Sequence, residues 1–465
     1  MKKFQKIKDK LKYYRFSYIP QYLIASKFSS QSFYICYKFI YGFLVFLLAI
    51  FNYSGFRNKY EIFKSQIFPA QIYQYNETPL LCFIALSGGE VTQIIHLIND
   101  LYEKSTVDFS VLILVGNDEG LIDLLEKRVN EKVKISLIPL DTNFSSRRFI
   151  ELNMPDLIIH IENVYSPILA KVSKSYGIEN ILISGLTRRD TKNHPIYKRA
   201  FGLRFEKYID YFYVKSDLDI AYLEENDVKE SKIINMGNLK YQEVHEASAK
   251  HVISNEVKEL KEVLKNQRII IMGSISFEER NFIISSVNNI LRSDDQKVVI
   301  LCPRFTYLVP IYERLLHGCS LPSIRLSEII AKTRQYNKEV IVVDIFGILS
   351  DLYGISDLAV VGGSFKKRFD TGFSQNIIEP MIQKIPVLYG PYTLQFDDLV
   401  NEINDKSRMS ICKSPNQLSE LINQLLSQDC LINDLIEKQN QSLEKFSKNP
   451  FDDYRALLLN KIKKK

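Results

Sequence analysis

Three short stretches in the last quarter of the chain hold residue types that could meet a nucleotide. Gly362-Gly363-Ser364 ends the apolar run Leu358–Val361. Gln375-Asn376-Ile377-Ile378-Glu379-Pro380 follows, and then Pro386-Val387-Leu388-Tyr389-Gly390-Pro391. An apolar run closing on glycines and a serine is how a buried parallel strand reaches its carboxyl end. Glycines there allow a backbone to approach a bound group, and free N–H groups can face an anion. Asn376 and Glu379 stand three apart and share a face if that segment opens a helix. A carboxylate so placed suits the paired hydroxyls of a ribose, so the set reads as the donor half of a nucleotide-sugar enzyme. An ordinary strand–loop–helix corner would use the same glycines.

A candidate base lies far upstream. Leu86-Ser87-Gly88-Gly89-Glu90-Val91 falls where an apolar strand turns into a helix, which sets Glu90 at the helix start. Inverting sugar transfer needs one base to take the acceptor hydroxyl's proton. An acid favoured by the helix dipole is the plainer account of the same residue. Histidine is scarce, with six in the chain and none beyond His317, so a histidine metal centre beside the glycine-rich motif is not expected. The one Asp-x-Asp, Asp217-Leu218-Asp219, reads as a helix start. No metal and no cofactor is expected.

The order of these pieces resembles the Kdo transferases, the inner-membrane enzymes that attach 3-deoxy-D-manno-octulosonic acid (Kdo) to lipid A precursors. Gly362-Gly363-Ser364, Asn376, Glu379-Pro380 and Gly390-Pro391 match that family's donor motifs, and Glu90 falls on the glutamate of its Ser-x-Gly-Glu-Val. Gly237-Asn238-Leu239-Lys240 matches its Gly-Asn-Leu-Lys, and Pro303-Arg304 its Pro-Arg-His. Gly273-Ser274 with Glu278-Glu279 resembles Gly-Ser-Thr-His-x-x-Glu-Glu. Pro139-Leu140-Asp141 with Arg147-Arg148-Phe149 resembles the stretch before Glu-Thr-Glu-x-Trp-Pro, which here reads Glu162-Asn163-Val164-Tyr165-Ser166-Pro167.

The departures are systematic. Ser276, Phe305 and Gln375 stand at histidine positions, Phe373-Ser374 replaces a glycine pair, and Ile348 stands where a glutamate is usual. Imidazole can carry charge near neutrality; phenylalanine cannot.

The resemblance implies an inverting GT-B enzyme that moves Kdo from CMP-Kdo to a lipid A precursor (lipid IVA) in lipopolysaccharide biosynthesis. Glu90 would be the base. Lys240, Ser274, Arg304, Gly362, Gly363, Ser364, Asn376 and Glu379 would bind the donor, and Glu162 and Arg147 the acceptor. A planar guanidinium such as Arg304 suits a carboxylate or phosphate. Two other readings remain open: a related transferase with another activated sugar or surface-glycan acceptor, and a silent, membrane-bound glycan-binding homologue.

These residues need two α/β layers to hold them. With 465 residues the chain has room for about two to three domains. It is 46% apolar and 25% charged, a globular rather than a disordered balance. Strand runs alternate with helical patterns from Leu80 to Val214 and again from Ile269 to Tyr389, which argues two doubly wound, Rossmann-like domains facing a ligand cleft. The expected division is an anchor segment at 1–56, an acceptor domain at 57–242, a linker at 243–267 and a donor domain with a C-terminal helix at 268–465. The last helices, beginning near Asn416–Leu426, and the tail are candidates to cross back to the first domain.

The net charge of +7 gathers at the ends, in Lys2, Lys3, Lys6, Lys8, Lys10, Lys12 and Arg15 and in the tail Lys461 to Lys465. Beside the aromatic, apolar run Phe33–Tyr53 these cations read as contacts to anionic lipid, and no nucleic-acid motif accompanies them. That run is about long enough for a retained membrane-anchor helix, spanning or interfacial. The expected setting is the bacterial inner membrane, catalytic domains towards the cytoplasm. Six cysteines without a CxxC pair fit a reducing compartment.

Overall fold

The computed structural model describes residues 56–73, 78–86, 88–116, 129–187, 205–241, 253–293, 296–366, 375–406, 409–446 and 450–463. The expected anchor at Phe33–Tyr53, the whole N-terminal basic cluster, Lys464-Lys465 and Phe373-Ser374 lie outside them. Among the described residues no helix is long and apolar enough to cross a membrane.

The chain divides into two compact units, one formed by 19–242 with 449–465, the other by 1–18 with 243–448. In the first, β1 (Leu80–Ile84), β2 (Ser110–Val115), β3 (Val133–Leu137), β4 (Leu157–Ile161), β5 (Glu179–Gly185), β6 (Tyr211–Val214) and β7 (Ile233–Asn235) form a sheet ordered β3-β2-β1-β4-β5-β6-β7. All pairings are parallel. The continuous apolar sequence Leu-Leu-Cys-Phe-Ile of β1 is buried at every position because helices cover both faces. Strand order reverses between β1 and β4, which makes their carboxyl ends the switch point where such sheets hold ligands.

The second unit repeats the plan with β8 (Arg268–Ile275), β9 (Lys297–Pro303), β10 (Ser323–Arg325), β11 (Val340–Val342), β12 (Leu358–Val361) and β13 (Val387–Tyr389), ordered β10-β11-β9-β8-β12-β13. Its switch point lies between β8 and β12, where Val361 pairs with Gly273. The short edge strands β7 and β10 are additions to the strands expected from apolar runs.

The segment 243–267, expected as a polar linker with one helix, holds over its described part the helix Asn255–Val263, which buries Val257 and Leu260, and Ser254 N–H donates to Asp351 Oδ2 at 2.9 Å in the second unit. The second unit ends at 448 rather than 465, and the tail, a candidate to cross back, belongs to the first unit. The final helix, Pro450–Lys463, buries Phe451, Tyr454, Leu458 and Ile462 in the core of the first unit. Tyr454 fixes it there: its hydroxyl accepts from Ser184 N–H (3.0 Å) and donates to the Gly237 carbonyl (2.9 Å). An aromatic body with one polar tip can be buried in this way at little cost.

Candidate active site

The switch point of the first unit gathers charge. Helix Gly88–Lys104 leaves β1 and carries Glu90 in its first turn. The Glu90 side chain is 2% exposed; its Oε2 accepts from Leu86 N–H and its Oε1 from the Tyr165 hydroxyl, each at 2.6 Å. The Tyr165 hydroxyl in turn accepts a long bond, 3.4 Å, from Asn163 Nδ2.

Glu162 follows β4 with a left-handed backbone (φ 57°), an uncommon conformation for a non-glycine residue. Its Oε1 accepts from Gln93 Nε2 at 2.8 Å and lies in ion-pair contact with Lys240 Nζ at 2.9 Å and Lys215 Nζ at 3.2 Å. Lys215 comes from the end of β6 and Lys240 from the turn Leu239–Tyr241 beyond β7. All three ionisable side chains are buried. Burial pushes the Glu162 carboxyl up, but the two ammoniums and the bonds from Lys240 and Gln93 outweigh it, so the group is held well below the usual carboxylate range. Burial, with help from the Lys240 charge, pushes the Lys215 ammonium down against the pull of Glu162. Two ammoniums thus share the Glu162 carboxylate at the end of the sheet that also carries Glu90. Ser184 Oγ donates to Gln93 Oε1 (3.3 Å) and accepts from Leu239 N–H (3.2 Å), which ties β5 and the Lys240 turn to the same network.

Sequence reading found Glu90, Glu162 and Lys240 but missed Lys215, Gln93 and Tyr165. Lys215 sits in Tyr-Val-Lys-Ser and reads only as a strand end; its pairing with Glu162 shows only once β6 lies beside β5. Lys240, expected at the donor, pairs with Glu162, expected at the acceptor. Arg147 does not join this cluster. It is exposed on helix Asn143–Asn153, beside Tyr176.

The switch point of the second unit is built differently. Glu279, fully buried, spreads its carboxylate over four donors: Ser276 N–H (3.0 Å), Ser276 Oγ (2.8 Å) and Gly363 N–H (2.8 Å) on Oε2, and Phe365 N–H (2.8 Å) on Oε1. Gly363, with φ +75°, needs its glycine. A Cβ on Gly362 would stand 2.7 Å from the Ser274 carbonyl oxygen.

The glycine-rich corner was expected to offer free amides to an anion. The Gly363 and Phe365 amides are instead occupied by a carboxylate of the protein itself. Ser364 is likewise committed: its buried hydroxyl donates to the Val361 carbonyl (2.7 Å) and accepts from Gly390 N–H (2.8 Å). These residues shape the corner rather than reach into it.

Asn376 and Glu379 precede and open the short helix Ile378–Ile382, and both are half-buried. Asn376 Oδ1 accepts from Ile378 N–H (3.0 Å), which starts the helix. Glu379 lies close enough to Cys302 and Tyr353 for its charge to raise both of their acidities' midpoints, on top of a larger effect of burial. Ser274 ends β8 in a left-handed conformation, φ 54°. Arg304, half-exposed at the end of β9, donates its backbone N–H to Ile275 and holds its guanidinium 5.4 Å from the Phe305 ring centre.

Two positions where the resembling family has histidine are filled by other packing. Ser276 serves Glu279, and Phe305 stacks on Tyr307 with centroids 5.2 Å apart. Asp219 of Asp-x-Asp accepts from Thr187 N–H (2.9 Å) and Ser216 Oγ (2.8 Å), a loop staple. No group of side chains among the described residues could hold a metal ion.

Comparison with known proteins agrees with this layout. Residues 58–243 match the family described as "3-Deoxy-D-manno-octulosonic-acid transferase (kdotransferase)". A bifunctional glycosyltransferase/methyltransferase of Fusobacterium nucleatum is 25% identical over 383 residues, 81% of this chain but 56% of its own length. A 3-deoxy-D-manno-octulosonic acid transferase of Aquifex aeolicus is 27% identical over 62% of this chain and 71% of its own. Among solved structures, a glycosyltransferase from Rickettsia africae shares the fold with a TM-score of 0.56 at 15% identity, over 83% of this chain and 99% of that one. The α/β, Rossmann-like sheets described above fit the GT-B fold of such neighbours.

Proposed function

We propose that the chain, whose residues 58–243 match the Kdo transferase family, is a glycosyltransferase that transfers Kdo from CMP-Kdo to a hydroxyl of a lipid A precursor with inversion. The observation that carries this reading is the buried charge at the first switch point, where Glu90 in the first turn of the helix after β1 lies at the same end of the sheet as Glu162 after β4, Lys215 after β6 and Lys240 after β7. In the proposed step Glu90 takes the proton of the acceptor hydroxyl. The freed oxygen bonds to the anomeric carbon, and the bond from that carbon to the CMP phosphate oxygen breaks, so CMP leaves with the electron pair. The ammoniums beside Glu162 suit an acceptor bearing phosphate, because a lysine gains from a charge-assisted bond to an anion.

Glu379 would hold the ribose hydroxyls and Arg304 the donor's phosphate or carboxylate. Asn376, Ser274, Gly362, Gly363 and Ser364 would set the shape of that corner, and Arg147 would extend the acceptor surface. The basic N-terminus and Phe33–Tyr53 would hold the enzyme at the cytoplasmic face of the inner membrane, where its acceptor lies.

A second reading, a related transferase with a different activated sugar or acceptor, is favoured by Phe305 and Ser276, since neither can supply the charge a histidine would.

The test is purified protein with CMP-Kdo and lipid IVA, read by mass spectrometry. A product heavier by one Kdo unit supports the proposal; an unmodified acceptor, with turnover of another activated sugar, replaces it with the second reading. Glu90→Gln should lower turnover about a hundred- to ten-thousand-fold with CMP binding nearly unchanged. Near-wild-type turnover would place the base elsewhere.

A further inference from the structure

We propose that Tyr165 is a positioning residue that sets the direction and basicity of Glu90. The inference rests on reading Glu90 as the base and adds a residue that no motif assigns: Tyr165 holds the variable position within Glu162-Asn163-Val164-Tyr165-Ser166-Pro167.

The geometry is short and directional. The Tyr165 hydroxyl donates to Glu90 Oε1 at 2.6 Å, while Leu86 N–H fixes Oε2 at the same distance. One bond on each oxygen prevents the carboxylate from rotating. Asn163 Nδ2 donates to the phenol oxygen from the other side, so the phenol proton is directed at Glu90 and away from Asn163. Asn163 is buried and adjoins Glu162 in sequence, so the base and the cation-bearing carboxylate are set by one loop after β4.

A carboxylate oxygen retains a further lone pair after accepting one bond, so the acceptor hydroxyl can approach Oε1 beside the phenol. A hydrogen bond donated to a carboxylate favours its charged form, so removing the phenol hydroxyl should make Glu90 easier to protonate. The same bond weakens Glu90 as a base, a trade that favours correct protonation and aim over intrinsic strength.

The test is Tyr165→Phe, which removes only the hydroxyl, in full-length protein. The Glu90 carboxyl is followed by infrared difference titration against Glu90→Gln, with no substrate present. Its midpoint should move up by about one pH unit in Tyr165→Phe, and Asn163→Ala should move it the same way by less. With CMP-Kdo and lipid IVA, the acidic limb of kcat/KM should shift upward equally, and kcat should fall about tenfold with little change in KM.

A titration midpoint in Tyr165→Phe equal to wild type overturns the inference whatever the turnover. Turnover that survives Glu90→Gln would instead remove the base assignment, and the titration would still decide whether Tyr165 governs Glu90. A lowered melting temperature with unchanged midpoint and acidic limb would leave Tyr165 a packing role only, which also overturns it.

Discussion

The two switch points each bury a glutamate carboxylate, and they satisfy it in opposite ways. Glu162 places one oxygen among two ammoniums and an amide, whereas Glu279 spreads both oxygens over three backbone N–H groups and a hydroxyl. Ammoniums hold the Glu162 carboxylate by charge, whereas the N–H groups and hydroxyl around Glu279 hold it by hydrogen bonds that tie the corner's backbone together. The same strand–loop–helix plan therefore yields an ionic cluster in one unit and a neutral hydrogen-bonded scaffold in the other.

The largest effect expected from this contrast is at Glu162. Glu162→Ala leaves Lys215 and Lys240 buried without their counter-charge, which should cost about 3–5 kcal/mol of stability. Adding Lys215→Met should return a large part of the loss, with a coupling of at least about 1 kcal/mol in a double-mutant cycle from urea denaturation. Strict additivity would mean that Lys215 does not share the carboxylate. The pH dependence has a fixed sign. Because the Glu162 carboxyl is depressed, its contribution is complete above its ordinary value of 4.5 and is lost as pH falls towards the folded value. Lys215, depressed as an ammonium, works in the alkaline range: stability rises with pH between its lowered value and 10.5, because the unfolded chain then binds the extra proton.

Glu279→Gln is expected to come next, at about 1.5–3 kcal/mol, since the amide NH2 must face one of the N–H donors and strand it. Chemical denaturation should register that loss, with CMP affinity falling as Gly362–Phe365 loosens. A variant with unchanged stability would show that the corner does not depend on its internal carboxylate. Glu379→Ala offers the opposite pattern: CMP affinity reduced at least roughly tenfold with little change in melting temperature. Unchanged affinity would remove Glu379 from the ribose.

The contrast also explains what could be read from the sequence. Buried parallel strands announce themselves as apolar runs, so β1, β2, β12 and β13 were legible, as was Glu90 at a helix start. Asn376 and Glu379 were placed correctly beside a short helix because Asn376, whose Oδ1 accepts from Ile378 N–H, is itself a start signal. The edge strands β7 and β10, three residues each, are too short for a period to show. Lys215 and Tyr165 were invisible because their roles depend on strand order, which brings β6 and the loop after β4 to the same end of the sheet. The occupation of Gly363 and Phe365 amides was hidden for a related reason: Glu279 lies more than eighty residues away in sequence. Glycine pattern shows that a backbone can be approached, not by what.

Asp141 supplies the smallest effect and the sharpest control, because one of its oxygens, like that of Glu162, meets three polar groups. Here all three are neutral: Ser166 Oγ at 2.8 Å, Ile168 N–H at 3.0 Å and Leu169 N–H at 3.3 Å, at the start of helix Pro167–Ser175. Burial outweighs them and raises the carboxyl from 3.8 to about 6, opposite to the direction at Glu162. The native state therefore binds more protons than the unfolded chain between those values, and stability should fall as pH rises through that window. Asp141→Asn keeps an acceptor for the same donors without a charge to bury. At about pH 4 the two proteins should be equally stable; at pH 7 the variant should be more stable by about 1 kcal/mol, read from urea denaturation at both pH values. A variant less stable at pH 7 would mean that neutral donors alone can hold a buried carboxylate charge here. The ammoniums around Glu162 would then be surplus to its stability and free to be explained by ligand binding alone.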